Sequence, residues 1–318
     1  MKIWVTLLTQ DTIRYCIPAY SITDRMSSLV DRSRQILEAK LKSADLPPST
    51  CGLVGIYCMC EALDVSYEMS ASHLKFITHR ANRGSVGMYL ASRYCAGMTA
   101  ATLAEAAEEI SYNAVYSRFF PTRGVPAKAI AGFLRQWLPL RCVIVLTLNP
   151  QRLDTDTTPA DKLTDAWHHH PLGEAIGQGF RMMYPDVTYS CEELQRMLDC
   201  ESAVMVKEQD ILFQTCPRSK GVIFSARRDF GDVDTLKKHN DKRWTPMGTI
   251  DNLYELQSRS GMLYFQDEPL ETSLLDPSKR IKIPAAYEPG ITVFVRRDDV
   301  ATRELLDSCK GFNNVCTV

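Results

Sequence analysis

Apolar residues recur along this chain in two different periods, and the alternation between them predicts a mixed α+β fold. Met26, Leu29, Val30, Ile36, Leu37 and Leu41 share one helical face, while Asp31, Arg32, Arg34, Glu38, Lys40 and Lys42 occupy the other, until Pro47-Pro48 ends the pattern. Ahead of that helix, residues 1–8 and 12–17 predict a leading β-hairpin turning at Gln10-Asp11. From 52 to 138 the period is mainly helical. Leu103, Ala107, Ile110 and Ala114 form one stripe, and Ile130, Phe133, Leu134 and Trp137 form another, opened by Gly124-Val125-Pro126 and closed by Pro139. The run 141–148 is β-branched and uncharged after its first residue, as suits a strand covered on both faces.

Beyond Asn149-Pro150, the polar stretch 151–161 predicts a boundary between a hairpin-plus-helical domain, 1–150, and a mixed α+β domain, 151–318. In the second part, Ser190 and Glu193 form a capping box for a helix over 191–199. Strands are expected near 203–206, 211–214, 221–225 and 291–295, and a last helix over 300–309 is capped by Asp299 and closed by Gly311. The opening residues Met1, Ile3, Val5, Leu8, Thr9, Thr12 and Ile13 resemble the first hairpin of ubiquitin. Leu46-Pro47-Pro48 after the helix is similar too, and the likeness is one of local geometry.

With 318 residues, 45% hydrophobic and 24% charged, the chain has the composition of a globular protein able to bury its own core. Its longest apolar runs, 52–60 and 142–148, are too short to cross a bilayer, so no membrane partner is expected. The apolar stretch 3–8 ends at once in Thr9, Gln10 and Asp11, which fits a strand rather than a signal peptide. Eleven cysteines form neither a disulfide ladder nor a paired zinc spacing, which predicts reduced thiols and a cytoplasmic setting. The net charge of −1 conceals a basic excess in residues 1–150 and an acidic one in the remainder.

The sharpest candidate for chemistry is Cys51. It follows Pro47-Pro48-Ser49-Thr50 and opens the apolar, helix-like run 53–63, so its thiol is expected at a helix N-terminus, where the macrodipole favours thiolate. This segment resembles the nucleophile helix of papain-like peptidases. The resemblance implies a histidine base and an Asn or Asp orienter. His168, His169, His170 and His239 lie downstream, of which His169 is the candidate base, with Asp186 and Asp251 as possible orienters. The customary Gln or Asn upstream of the nucleophile is missing. A free cysteine also packs as a small hydrophobe, and that alternative stays open.

Three consecutive histidines cannot all face one ion on a regular helix or strand, and a solvated helix end anchored by Trp167 is the plainer expectation for His168-His169-His170. Cys58 and Cys60 are a single CxC pair, so no metal site is expected. Pro185-Asp186 with Glu201 and Lys207 lacks the spacing of a nuclease metal set. Walker, GxGxxG, GxSxG, HExxH and EF-hand patterns are all missing, and no cofactor is expected.

Between residues 75 and 141, Arg80, Arg83, Arg93, Arg118 and Arg123 interleave with aromatic residues that include Tyr112 and Tyr116. Forked cations beside stacking platforms suit single-stranded RNA or a protein partner. Taken together, these features predict first a structural subunit of a larger homo- or hetero-oligomeric assembly, such as a viral capsid or a clamp on one. A papain-like cysteine hydrolase using Cys51 and an RNA-associated protein using the 75–141 segment are the two alternatives.

Overall fold

The computed structural model describes residues 49–80, 86–154, 164, 166–183, 185–208, 210–211 and 280–314. The ubiquitin-like hairpin, the 26–41 helix, the strand expected at 221–225, Arg83, His239 and Asp251 fall outside these residues, as does most of the strand expected at 211–214. Described helices are α1 (Cys51–Ala62), α2 (Val86–Cys95), α3 (Ala100–Ile110), α4 (Ala127–Trp137), α5 (Cys191–Leu198) and α6 (Val300–Ser308). The strands are β1 (Val115–Pro121), β2 (Cys142–Leu148), β3 (His168–Ile176), β4 (Gly179–Met182), β5 (Thr188–Ser190), β6 (Ala203–Lys207), β7 (Arg280–Pro284) and β8 (Gly290–Arg296). The fold is α+β. Among the described residues, no helix is long and apolar enough to cross a membrane.

Six strands form one antiparallel sheet in the order β1-β8-β2-β3-β4-β5, and β6 pairs with β7 in a second. The first sheet draws on both sides of residue 150, because β8 lies between β1 and β2. Every residue of β2 is buried, as its unbroken apolar run predicts. Strand alternation then divides the core. Val143 and Val145 face a cluster containing Leu53, Ile56 and Met59 of α1 with Leu103, Ala107 and Ile110 of α3. Ile144, Leu146 and Leu148 face Ile130, Phe133, Leu134 and Trp137 of α4 with Leu194, Met197 and Leu198 of α5. The second sheet, α2, Trp167 and Tyr287 make a third cluster.

Local signals set several boundaries. Ser190 and Glu193 form the reciprocal capping box, and the Asp299 side chain accepts from Thr302 N–H at the start of α6. The α3 stripe holds through Ile110, but the helix stops there, and Ala114 is exposed beyond Tyr112 and Asn113, both in left-handed conformation.

Two expectations are corrected. Residues 115–121 form the edge strand β1 rather than part of a helical run, because Val115, Phe119 and Phe120 pair in register with Arg296, Thr292 and Ile291 of β8. His168-His169-His170 open β3 instead of ending a solvated helix, since they pair with Leu148, Thr147 and Leu146 of β2. Pairing with a fully buried strand carries the imidazoles inside despite their polarity.

The two-faced packing on β2 predicts that Leu146→Ala, which empties a fully buried position, lowers stability by about 2–5 kcal/mol. Ser190→Ala, which removes one cap, costs about 1 kcal/mol. Denaturant unfolding of the two variants checks this ordering.

Candidate active site

Cys51 is the first residue of α1, as its sequence context predicts. Thr50, the N-cap, makes no side-chain hydrogen bond to the helix, so no capping side chain competes for the first-turn N–H groups. Gly52 follows for a packing reason. A Cβ there would lie 2.6 Å from Met98 Sδ, so any larger residue would push the Met98 side chain away from the start of α1. One turn on, Gly55 faces β3, where its Cβ direction meets His169 Cβ at 3.9 Å and Pro171 Cγ at 3.8 Å. Cys51 lies one turn before Gly55 and meets the residue at the head of the same strand, with Sγ 4.0 Å from the carbonyl oxygen of Trp167. The face of α1 that carries the thiol therefore runs along the Trp167, His169, Pro171 side of β3.

Trp167 adopts a left-handed conformation with φ 55, which costs a non-glycine residue about 1–2 kcal/mol. Tertiary contacts hold it there. Its indole N–H donates to Ala203 O at 2.9 Å, and its ring stacks on Tyr287 with centroids 5.4 Å apart. Tyr287 in turn donates its hydroxyl to Ala96 O. Around these groups lies a cavity of about 460 Å³, lined among others by Cys51, Arg80, Trp167, His168, His169 and His170.

The three histidines divide by strand alternation. His168 and His170 share one face, with ring centroids 5.5 Å apart, and His170 stacks on Tyr189. His169 points to the α1 side, 2% exposed, with Nε2 2.8 Å from Met98 O and Nδ1 3.1 Å from Thr147 Oγ1. Burial pushes the His169 imidazole down to about 4 and that of His170 to about 3, so both are neutral near pH 7. Arg181 grips Asp186 in a two-pronged ion pair at 2.7 and 3.0 Å. Met98 and Thr147 hold the His169 ring. Among the described residues, no group of three or more His, Cys, Asp or Glu side chains is arranged to hold a metal ion.

The buried thiols differ from Cys51. Cys58, Cys142 and Cys200 are buried, and desolvation pushes each up to about 12, far from ionisation at neutral pH. Cys60 is buried beside Cys58, so the CxC pair is core packing. Glu201 is ion-paired with Lys282.

The cationic and aromatic residues of the 75–141 segment are spread over a loop, α2, two turns and an edge strand. Arg80 and Arg93 line a second cavity of about 240 Å³, which shares Arg80, Ala96, Thr164 and Trp167 with the first. Arg93 lies 4.7 Å from the centroid of Tyr89. Arg118 donates to the carbonyls of Leu306 and Asp307 at the end of α6, at 2.8 and 2.9 Å, and Tyr116 donates to Asp307 Oδ1 at 2.7 Å. These two tie β1 to α6. Arg123 and Tyr112 are exposed.

Sequence reasoning missed Met98, Thr147 and Tyr287. The one local signal was Thr147, the lone hydroxyl in an otherwise apolar strand.

A neutral buried imidazole makes stability depend on pH with a definite sign. Below about 6.5 the unfolded chain takes up protons that folded His169 refuses, so stability present above that pH is lost as pH falls toward 4. The melting temperature is expected to drop across this window. His169→Gln, whose amide can still meet Met98 and Thr147, flattens the slope; an unchanged slope contradicts the assignment.

The chain matches no protein-family model, and no curated protein matches it.

Proposed function

We propose that this chain is a thiol-dependent hydrolase, with Cys51 as nucleophile and His169 as general base, acting on an amide or ester carbonyl. The observation that carries the reading is the juxtaposition of a half-buried cysteine at the start of α1 with the histidine-bearing head of β3 around one cavity. Partial positive charge at a helix N-terminus stabilises a thiolate by about 0.3–1 kcal/mol when exposed and up to about 2 kcal/mol when partly buried. The contact with Trp167 O favours the protonated thiol, but at 4.0 Å it is long even for sulfur.

In the reaction, the Cys51 thiol loses its proton to His169 and Sγ attacks the substrate carbonyl carbon. The imidazolium returns that proton to the leaving amine or alcohol. Water then adds to the acyl thioester, releases a carboxylic acid and restores the thiol. His169 in the resting chain has Thr147 at Nδ1 and Met98 at Nε2; Met98 O only accepts, so Nδ1 is the nitrogen that takes the proton, and in the substrate-bound state the sulfur displaces the Thr147 hydroxyl there.

The subunit and RNA readings draw less support. Arg118 and Tyr116, two of the residues they rely on, are engaged with α6 within the chain.

Hydrolysis of a panel of fluorogenic peptide amides and aryl esters tests the proposal. Cys51→Ala is expected to abolish turnover, and His169→Gln to lower kcat by about 10²–10⁴. Turnover that survives in folded Cys51→Ala overturns it.

A further inference from the structure

Thr147 is the lone polar residue of β2 and is 1% exposed. Antiparallel register places it directly opposite His169. Its Oγ1 lies 3.1 Å from His169 Nδ1, while Met98 O lies 2.8 Å from Nε2. A carbonyl oxygen only accepts, so Nε2 carries the hydrogen and donates to Met98. The neutral ring then presents a lone pair at Nδ1, and the Thr147 hydroxyl donates to it.

When the ring gains a proton, Nδ1 changes from acceptor to donor. A backbone N–H in the place of Thr147 would then repel the new hydrogen, and a carboxylate would hold the ring protonated at rest. A hydroxyl rotates about its C–O bond and serves both states, donating to the neutral ring and accepting from the cation.

We propose that Thr147 is the positioning residue of His169, a reversible hydrogen-bond partner that donates to Nδ1 of the neutral ring and accepts from Nδ1–H when the resting ring is protonated. The resting half of this role stands on geometry alone. The second half follows from the ability of a hydroxyl to serve both ring states. Of the titratable groups around the ring, Tyr287 ahead of β8 lies with its centroid 6.2 Å away, Cys51 of α1 lines the same cavity, and His168, the preceding residue on the other face of β3, opposes protonation. Thr147 faces it from β2 and Met98 from the segment before α3.

The cation depends on its partner more than the neutral ring does, because hydrogen bonds to charged groups are roughly twice as strong. Removing the hydroxyl therefore lowers the proton affinity of His169. Thr147→Val keeps the shape of the side chain without its hydroxyl, and Thr147→Ser keeps the hydroxyl. In the full chain labelled with 15N-histidine, the wild-type His169 signal, assigned by its loss in His169→Gln, should show a hydrogen on Nε2 and a hydrogen-bonded lone pair at Nδ1. Valine should reduce the proton affinity of the ring about tenfold, and serine should restore it to within about threefold.

A neutral wild-type ring carrying its hydrogen on Nδ1 overturns the proposal, whether or not any variant folds. So does a valine variant that titrates as wild type, or a serine variant that behaves as valine does. Turnover surviving in Cys51→Ala sinks the hydrolase reading instead, and the nitrogen signals then decide the resting role of Thr147 on their own.

Discussion

The register of β2 against β3 is the constraint on which the site depends. Side chains alternate along β2, so Val143, Val145 and Thr147 face the α1 and α3 layer, while Ile144, Leu146 and Leu148 face α4 and α5. A slip of one residue would turn the whole apolar set over and carry Thr147 to the far layer, away from His169. Burial on both faces makes that slip costly, since each large side chain moved into a mismatched site forfeits about 1.5–3 kcal/mol of apolar burial. The same packing that fixes the core therefore fixes the imidazole. Chemistry and stability share a strand here.

Two environments then separate the thiols and imidazoles of this chain. Inside the layers, desolvation dominates, keeping Cys58 and Cys142 as thiols and His169 and His170 as neutral rings. At the open end of α1, Cys51 borders a cavity and carries a helix N-terminus at its back. Met98 links the two environments, its side chain lying against Gly52 of α1 and its carbonyl meeting His169. Trp167 closes the arrangement, with one φ in the left-handed region and its indole pinned to Ala203 and Tyr287.

Much of this architecture is legible in the sequence where the cause is local. The apolar run of β2, the stripe on α4, the capping box of α5 and the start of α1 at Cys51 all follow from period, propensity or a neighbouring cap. The site is less legible because its contacts span the chain. His169 meets Met98 across 71 positions and Thr147 across 22, and no periodicity reports either pairing. His168-His169-His170 looks solvated because histidine is polar, yet tertiary pairing buries two of the three. β1 is hidden in the same way, since its Arg and Tyr residues mask an edge strand whose cation reaches the end of α6.

The central claim is that α1 and β3 single out one sulfur for reaction. Competitive alkylation of the folded chain with limiting iodoacetamide at pH 7, followed by peptide mapping, measures this directly. Cys191 and Cys309 are the fair comparison, being partly exposed as Cys51 is. Cys191 also opens a helix, but there the Ser190 cap and the acidic Glu192 and Glu193 already answer the N-terminal charge, and Cys309 follows a helix end. The account predicts that Cys51 is labelled well ahead of both. Labelling of Cys51 no faster than of those two would contradict it.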